Sequence, residues 1–560
     1  MPVQRRFLIQ LLVALGLLLL FPLAANAGPP RPGVVTLTQP DGSTFQARVW
    51  GDEREHGMQT LTGYTILLDP QTQYWVYAVR SPAGALIPAT GPQGKFVVGK
   101  SNPAALPKTV SPLAPLRNRA AISTAATRTN TGTQKVLVLL AKFSDQDPIG
   151  TDETYWHNLY FGATNSVAHY YDQASYNHLH FAPAEENFGT ANNGVVGWLA
   201  LSGTFSAEMN GDQFVKDAIL AADPFVNFAA FDANNDGYIS VDELHIAVVA
   251  AGYEYAYVVG GACGQTIWGH QSAFGDSSAP VVDGVKVGDY AQGGAYTTLG
   301  EWHCDTTEAP PGHGATIGLP SHELGHDLGL PDMYDMSGVT AGIGDWAIMS
   351  TGVWTTNGGL PGDSPANPDA WSRWYEGWLT PTQVTGSLTG VNIPQIETSP
   401  TAFLLSNNPN GIDWRWETQS GTGEYFLVEN RQQTLSDAGI PGCGLLIWHI
   451  DESVSSDNYY VNLDPNHRFI DLEQADGLRQ LNLGDGGNSG DAGDPFPGTS
   501  FNHTFNASSN PNSHLYSGLP SNVAVTNISS SCSSTMSANL AYTPPPSIWL
   551  FLPLIGKHFP

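Results

Sequence analysis

The sequence predicts an α+β protein. A mixed sheet and one short helix form its centre, with a smaller segment before them and an all-β region after. Three observations carry that prediction. "KVLVLLAKFSD", Lys135 to Asp145, is an apolar run of strand length. "SHELGHDLGL", Ser321 to Leu330, presents residues four apart on one helical face and ends near a glycine that can terminate the helix. From residue 386 to 542, short apolar runs alternate with Gly/Asn/Asp turns. At 560 residues the chain is too long for one core. Its 61 glycines and 40 prolines, with only 13% charged residues, favour turns and strands over long exposed helices.

In chain order the first element is an address. Arg5 and Arg6 precede an apolar run that ends in Ala25-Asn26-Ala27, the pattern of a leader cleaved after residue 27. The run is too short for a membrane span. Residues 28–130 are read as a pro-segment. From Gly28 to Thr133 there are ten Lys/Arg against five Asp/Glu, whereas the chain as a whole carries −29, so this segment offers a basic surface to an acidic body. The same acidic excess argues against nucleic acid as a partner. Residues 101–134 are rich in Pro, Ala, Ser and Thr, lack helical or strand periodicity, and read as a linker. A central domain is then expected over 131–385, a β-rich domain over 386–542, and a Pro linker with an apolar tail over 543–560. The tail is too short to span a bilayer and offers either surface retention or a last strand.

Export makes the four cysteines, Cys263, Cys304, Cys443 and Cys532, candidates for two disulfides. Proximity in sequence favours 263 with 304 and 443 with 532, among three possible pairings. "FDANNDGYISVDE" places Asp232, Asn234 and Asp236 at positions 1, 3 and 5 of a calcium loop. Gly237 is at the turn, Tyr238 offers its carbonyl, Ser240 can act through water, and Glu243 is at position 12. A helix is plausible before the loop. The segment after it, "LHIAVVAAG", has the look of a buried strand, so the ion is expected to staple elements together.

The decisive stretch is "SHELGHDLGLPDMYD", Ser321 to Asp335. On a helix, His322 and His326 present their imidazoles to one metal ion, and Glu323 lies one step round. Zinc there supplies a Lewis acid and lowers the pKa of its water. Glu323 then serves as general base and later gives the proton to the leaving amine. Gly329 can end the helix with a positive φ, letting the chain return Asp332 as third ligand in an acceptable carboxylate role. Asp327 and Asp335 are its rivals as ligand, or partners that orient the histidines. "GIGDWAIMSTGVW" places Met349 in a Gly-flanked turn where an apolar floor under the metal is expected; the arrangement resembles that of the metzincins.

The sequence resembles the secreted bacterial metalloproteases of the immune inhibitor A type, which are related to the metzincins. "HELGHDLGLPDMYD", "GDWAIMSTG" and "PDAWSRWYEGWL" carry the resemblance, with "GEYFLVENRQ" and "GIPGCGLLIWHIDE" downstream and "LTQPDGSTFQARVWGDE" upstream. The resemblance implies a metzincin-like zinc protease, made as a pro-enzyme that cleaves protein or peptide substrates, and it points to Asp332 as the third ligand. The expected cofactors are one catalytic Zn2+ and at least one structural Ca2+. Two further features stay open: Asp485, Asp491 and Asp494 among glycines as a second calcium loop, and His449 as a residue near the active site or a structural one. The competing reading is a catalytically inactive, calcium-stabilised surface or binding protein. The intact Glu323 favours the enzyme.

Overall fold

In the computed structural model, residues 26–51, 56–81, 85–108, 130–209, 213–259, 263–306, 311–406, 408, 410–457, 460–484 and 486–544 are described. The leader up to residue 25, most of the linker, Asp485 and the tail from residue 545 lie outside them.

The fold is mixed and β-rich. The apolar run at Lys135 lies within a strand, Gly132–Lys142, whose Val136 to Ala141 are fully buried. Both faces of this strand are covered, which is why it reads as continuous rather than alternating. It pairs in parallel with His245–Val259 on one side and with Leu179–Pro183 and Val195–Ala200 on the other. His245–Val259 pairs in parallel with Tyr296–Asp305, which pairs antiparallel with His270–Ser272. On that edge strand lies a final antiparallel pair, Asn26 opposite Gln271 and Ala27 opposite His270. The sheet therefore ends, on the side facing the helix Gly318–Leu328, with the first described residues of the chain.

Residues 35–88 form an antiparallel sheet of six strands, from Val35–Thr38 to Leu86–Pro88. Its apolar side, with Leu37, Met58 and Ile66, joins one contiguous core with the helix residues Leu319 and Leu324. In the C-terminal part a five-stranded and a four-stranded sheet enclose a second core that includes Phe426, Ile447, Val525 and Leu540. Thr535–Tyr542 alternates buried and part-exposed residues, as a strand with one covered face must. The opposite face of the five-stranded sheet, with Leu427, Trp448 and Ile450, packs into the same core as the central helix. No sharp break in packing separates the central and β-rich regions.

Two disulfides are present. Cys263–Cys304 joins the end of the segment after His245–Val259 to Tyr296–Asp305. Cys443–Cys532 joins the two C-terminal sheets across 89 residues. Among the described residues no helix is long and apolar enough to cross a membrane.

Candidate metal centre

The helix Gly318–Leu328 is buried along its whole length, and His322 and His326 lie on one face. Gly329 closes it at φ 109°, and the amides of Gly329 and Leu330 return to the Gly325 carbonyl. This left-handed cap reverses the chain. After it Asp332 comes back, its Oδ1 lying 3.1 Å from His322 Nε2 and 3.4 Å from His326 Nε2. These three residues form one of two clusters of close metal-ligating side chains among the described residues.

Each imidazole is set by a backbone carbonyl. His322 Nδ1 donates to the carbonyl of Ile348 and His326 Nδ1 to that of Leu330, both at 2.8 Å. With Nδ1 protonated, Nε2 presents its lone pair toward Asp332. Burial holds the His322 imidazole below its usual range, so the ring is neutral. Two imidazoles and a carboxylate, all buried, are the donor set that a divalent metal of the zinc type requires. Met349 lies beneath: a Cβ on Gly325 would stand 2.7 Å from its Sδ, so a glycine between the two histidines lets the thioether approach. The Trp416 ring stacks on His326 at 5.5 Å.

The two rival aspartates are engaged elsewhere. Asp327 accepts from His245 Nδ1 (3.0 Å) and from Gln271 Nε2 (3.1 Å), tying the helix to two strands of the main sheet. Asp335 accepts from the amides and hydroxyls of Ser337 and Thr340, shaping its own turn. The histidines themselves are oriented by the Ile348 and Leu330 carbonyls. His245 escaped sequence reading, because its contact with Asp327 spans 82 residues and no local pattern marks it.

A second contact absent from the sequence reading lies on Glu323. Its Oε1 accepts the Gly28 amide at 2.8 Å. Trp268 Nε1 donates to the Gly28 carbonyl, Trp354 Nε1 to that of Pro29, and the Arg31 guanidinium lies over the Tyr257 ring at 4.6 Å. Residues 26–31 thus run along the edge strand and across Glu323 as an extended segment. The pro-segment has no cysteine to offer a metal, and Asp52 and Glu53, the carboxylates its sequence offers instead, lie outside the described residues.

In the 232–243 loop, Asp232 accepts from the amides of Asp236 and Gly237. Glu243 accepts from Ala233, Asn234 and Ser240. Gly237 turns at φ 85°. The loop follows the helix Gln213–Ala222 and leads into the buried strand His245–Val259. Its carboxylates are not one of the two close clusters. His449 is far from this chemistry in its contacts. It lies between Glu424 (3.1 Å) and Glu473 (3.2 Å) and stacks on Tyr516.

Residues 207–379, which include the helix, Asp332 and Met349, match the family described as Immune inhibitor A peptidase M6, catalytic domain. The chain is 28% identical over 226 residues, 38% of its length, to a Vibrio cholerae serotype O1 protein named Pre-pro-metalloprotease PrtV. It is 32% identical over 168 residues, 27% of its length, to Immune inhibitor A of Bacillus thuringiensis subsp. alesti. The matched stretches span 23% of each of these relatives.

Proposed function

We propose, from the premise that the chain carries a catalytic domain of the immune inhibitor A peptidase M6 family, that it is an exported zinc endopeptidase made in latent form. A metallopeptidase is what the family match supports; the particular roles are our reading. His322, His326 and Asp332 would hold the zinc, and the observation that carries this is the convergence of their three ligand atoms with both Nδ1 atoms already committed to carbonyls. Zinc held there supplies Lewis acidity and makes water a stronger acid.

Glu323 sits beside the trio without belonging to it. It takes the proton of the attacking water and returns it to the leaving amine. The Gly28 nitrogen now uses one of its oxygens, so residues 28–31, which remain once the leader is cleaved after residue 27, and an incoming substrate would compete for the same place. An extended segment whose carbonyls are read by Trp268 and Trp354 is the binding mode open to a peptide substrate. This supports latency by occupation of the cleft, in a region that also packs its six-stranded sheet against the helix. Export rests on the leader pattern, and protein substrates rest on the family.

The 232–243 loop enters the proposal as a structural calcium loop. What supports it is the turn at Gly237 and the placement of Asp232 and Glu243, which face the loop's own amides from its two ends.

The test is casein hydrolysis by the purified, processed chain and by Glu323→Ala. The expected outcome is loss of at least about a thousandfold in rate, with zinc content unchanged in the variant and activity of the wild type abolished by a zinc chelator. Retained hydrolysis in Glu323→Ala would remove that residue from the mechanism.

A further inference from the structure

We propose that Asp476, Asp491 and Asp494 bind a hard divalent cation of the calcium class, which clips the loop after the C-terminal sheet to the turn beneath the metal centre. One oxygen from each of the three lies within 4.8 Å of the others. Asp494 is fully buried. Its Oδ2 accepts from Trp346 Nε1 (3.1 Å) and from the Asp491 amide (2.9 Å), but its buried Oδ1 has no hydrogen-bond partner. A buried carboxylate oxygen left without a donor is costly, and such groups are normally satisfied.

The neighbours make the need for a cation sharper. Asp476 Oδ2 and Asp491 Oδ1 both flank Gly493: a Cβ built there would lie 2.7 Å and 2.9 Å from them. Asp491 also accepts from Gly493 N and Asn488 Nδ2, and Asp476 from Leu478 N, so neutral donors fix the carboxylates in place without cancelling their charge. Among the described residues none of the three is ion-paired with Lys, Arg or His. Arg479, three residues from Asp476, is directed to Asp471 instead. Three carboxylates converge with no positive charge between them.

The ligand class follows from the donors. All are oxygens, which exclude soft metals. They sit on a glycine-rich loop rather than a rigid octahedral frame, which suits the larger and more irregular shell of calcium over that of magnesium. The consequence follows from Trp346, which ends the short helical turn Gly344–Trp346, three residues before Met349. The Asp345 amide donates to the Ser489 carbonyl at 2.7 Å in the same seam. An ion at Asp494 therefore fixes the turn that carries the floor of the metal centre.

Terbium provides the test, because a tryptophan in contact with a ligand sensitises its emission. The full chain, stripped with a calcium chelator, is titrated with terbium under tryptophan excitation and then with calcium, alongside Asp476→Asn, Asp491→Asn, Trp346→Phe and Glu243→Gln. The expected result is sensitised emission displaced by calcium in the wild type and in Glu243→Gln. It is lost in both aspartate variants and strongly reduced in Trp346→Phe. Melting in calcium and in chelator supplies the second reading: a calcium-dependent rise in Tm that shrinks in Asp476→Asn and Asp491→Asn to the part the 232–243 loop contributes, while their Tm in chelator is no lower than that of the wild type. Emission and a calcium-dependent Tm rise that persist unchanged in both aspartate variants would overturn the site, as would absence of sensitised emission from the wild type.

Discussion

The molecule holds two stretches whose spacing announces metal ligands, and the structure treats them differently. In Ser321 to Asp335 the ligand atoms are buried and converge, and the ring nitrogens that do not face the centre are committed to carbonyls. In Asp232 to Glu243 the side chains lie largely at the surface and spend their oxygens on the loop's own amides. The difference lies in what fixes the side chains. A helix repeats every 3.6 residues, so His322 and His326 must share a face whatever fills the space before them. A calcium loop fixes its turn through Gly237, but its carboxylates are gathered by the ion itself.

That comparison predicts a ranking of acid substitutions. Asp327→Ala should have the largest effect, about 3 kcal/mol in chemical denaturation, because it strips a buried partner from His245 and Gln271 at once. Zinc content should stay near wild type. Were Asp327→Ala to cost less than the loop variant below, the distinction between the two stretches would fail.

The histidines sharpen the same contrast. His322 is neutral in its buried trio. At His449 burial also works against the charge, but Glu424 and Glu473 outweigh it and push the imidazole up to about 9 from 6.5. A folded-state pKa above the unfolded one means stability that is fully present below about 6.5 and is lost as pH rises through about 9. The difference in unfolding free energy between pH 6 and pH 9.5 should therefore be larger in the wild type than in His449→Gln, by roughly 1–3 kcal/mol. Equal pH profiles would mean that the two glutamates do not hold a proton on the ring.

Glu243→Gln should have the smallest effect, about 1 kcal/mol, or a Tm lower by a few degrees in calcium and unchanged in chelator. A Tm equal to the wild type in calcium would remove the ion from this loop.

Much of the centre was legible in the sequence because its signals are local. The His-Glu-x-x-His spacing, the glycine cap and the Met turn each occupy a few residues, and the buried strands at Lys135 and Leu244 were readable from their β-branched, apolar runs. What was not legible depends on contacts made far along the chain. The turn at Gly329 favours Asp332, but what its rivals do instead shows only in the fold, where His245 and Gln271 claim Asp327, and Ser337 and Thr340 claim Asp335. Gly28 gave no hint of Glu323, 295 residues away. The sequence offers Asp485, Asp491 and Asp494 as an ion loop, but Asp476, which completes the cluster, lies on an earlier turn and joins it only through the fold.

The central claim is that Asp332 is the third ligand of the metal centre. It is tested most directly by zinc content per chain, measured on purified, folded protein for Asp332→Ala, Asp327→Ala and Asp335→Ala. The account predicts that Asp332→Ala alone loses the metal while the other two retain close to one equivalent. Zinc held at wild-type affinity by Asp332→Ala, or lost equally from Asp327→Ala, would contradict it.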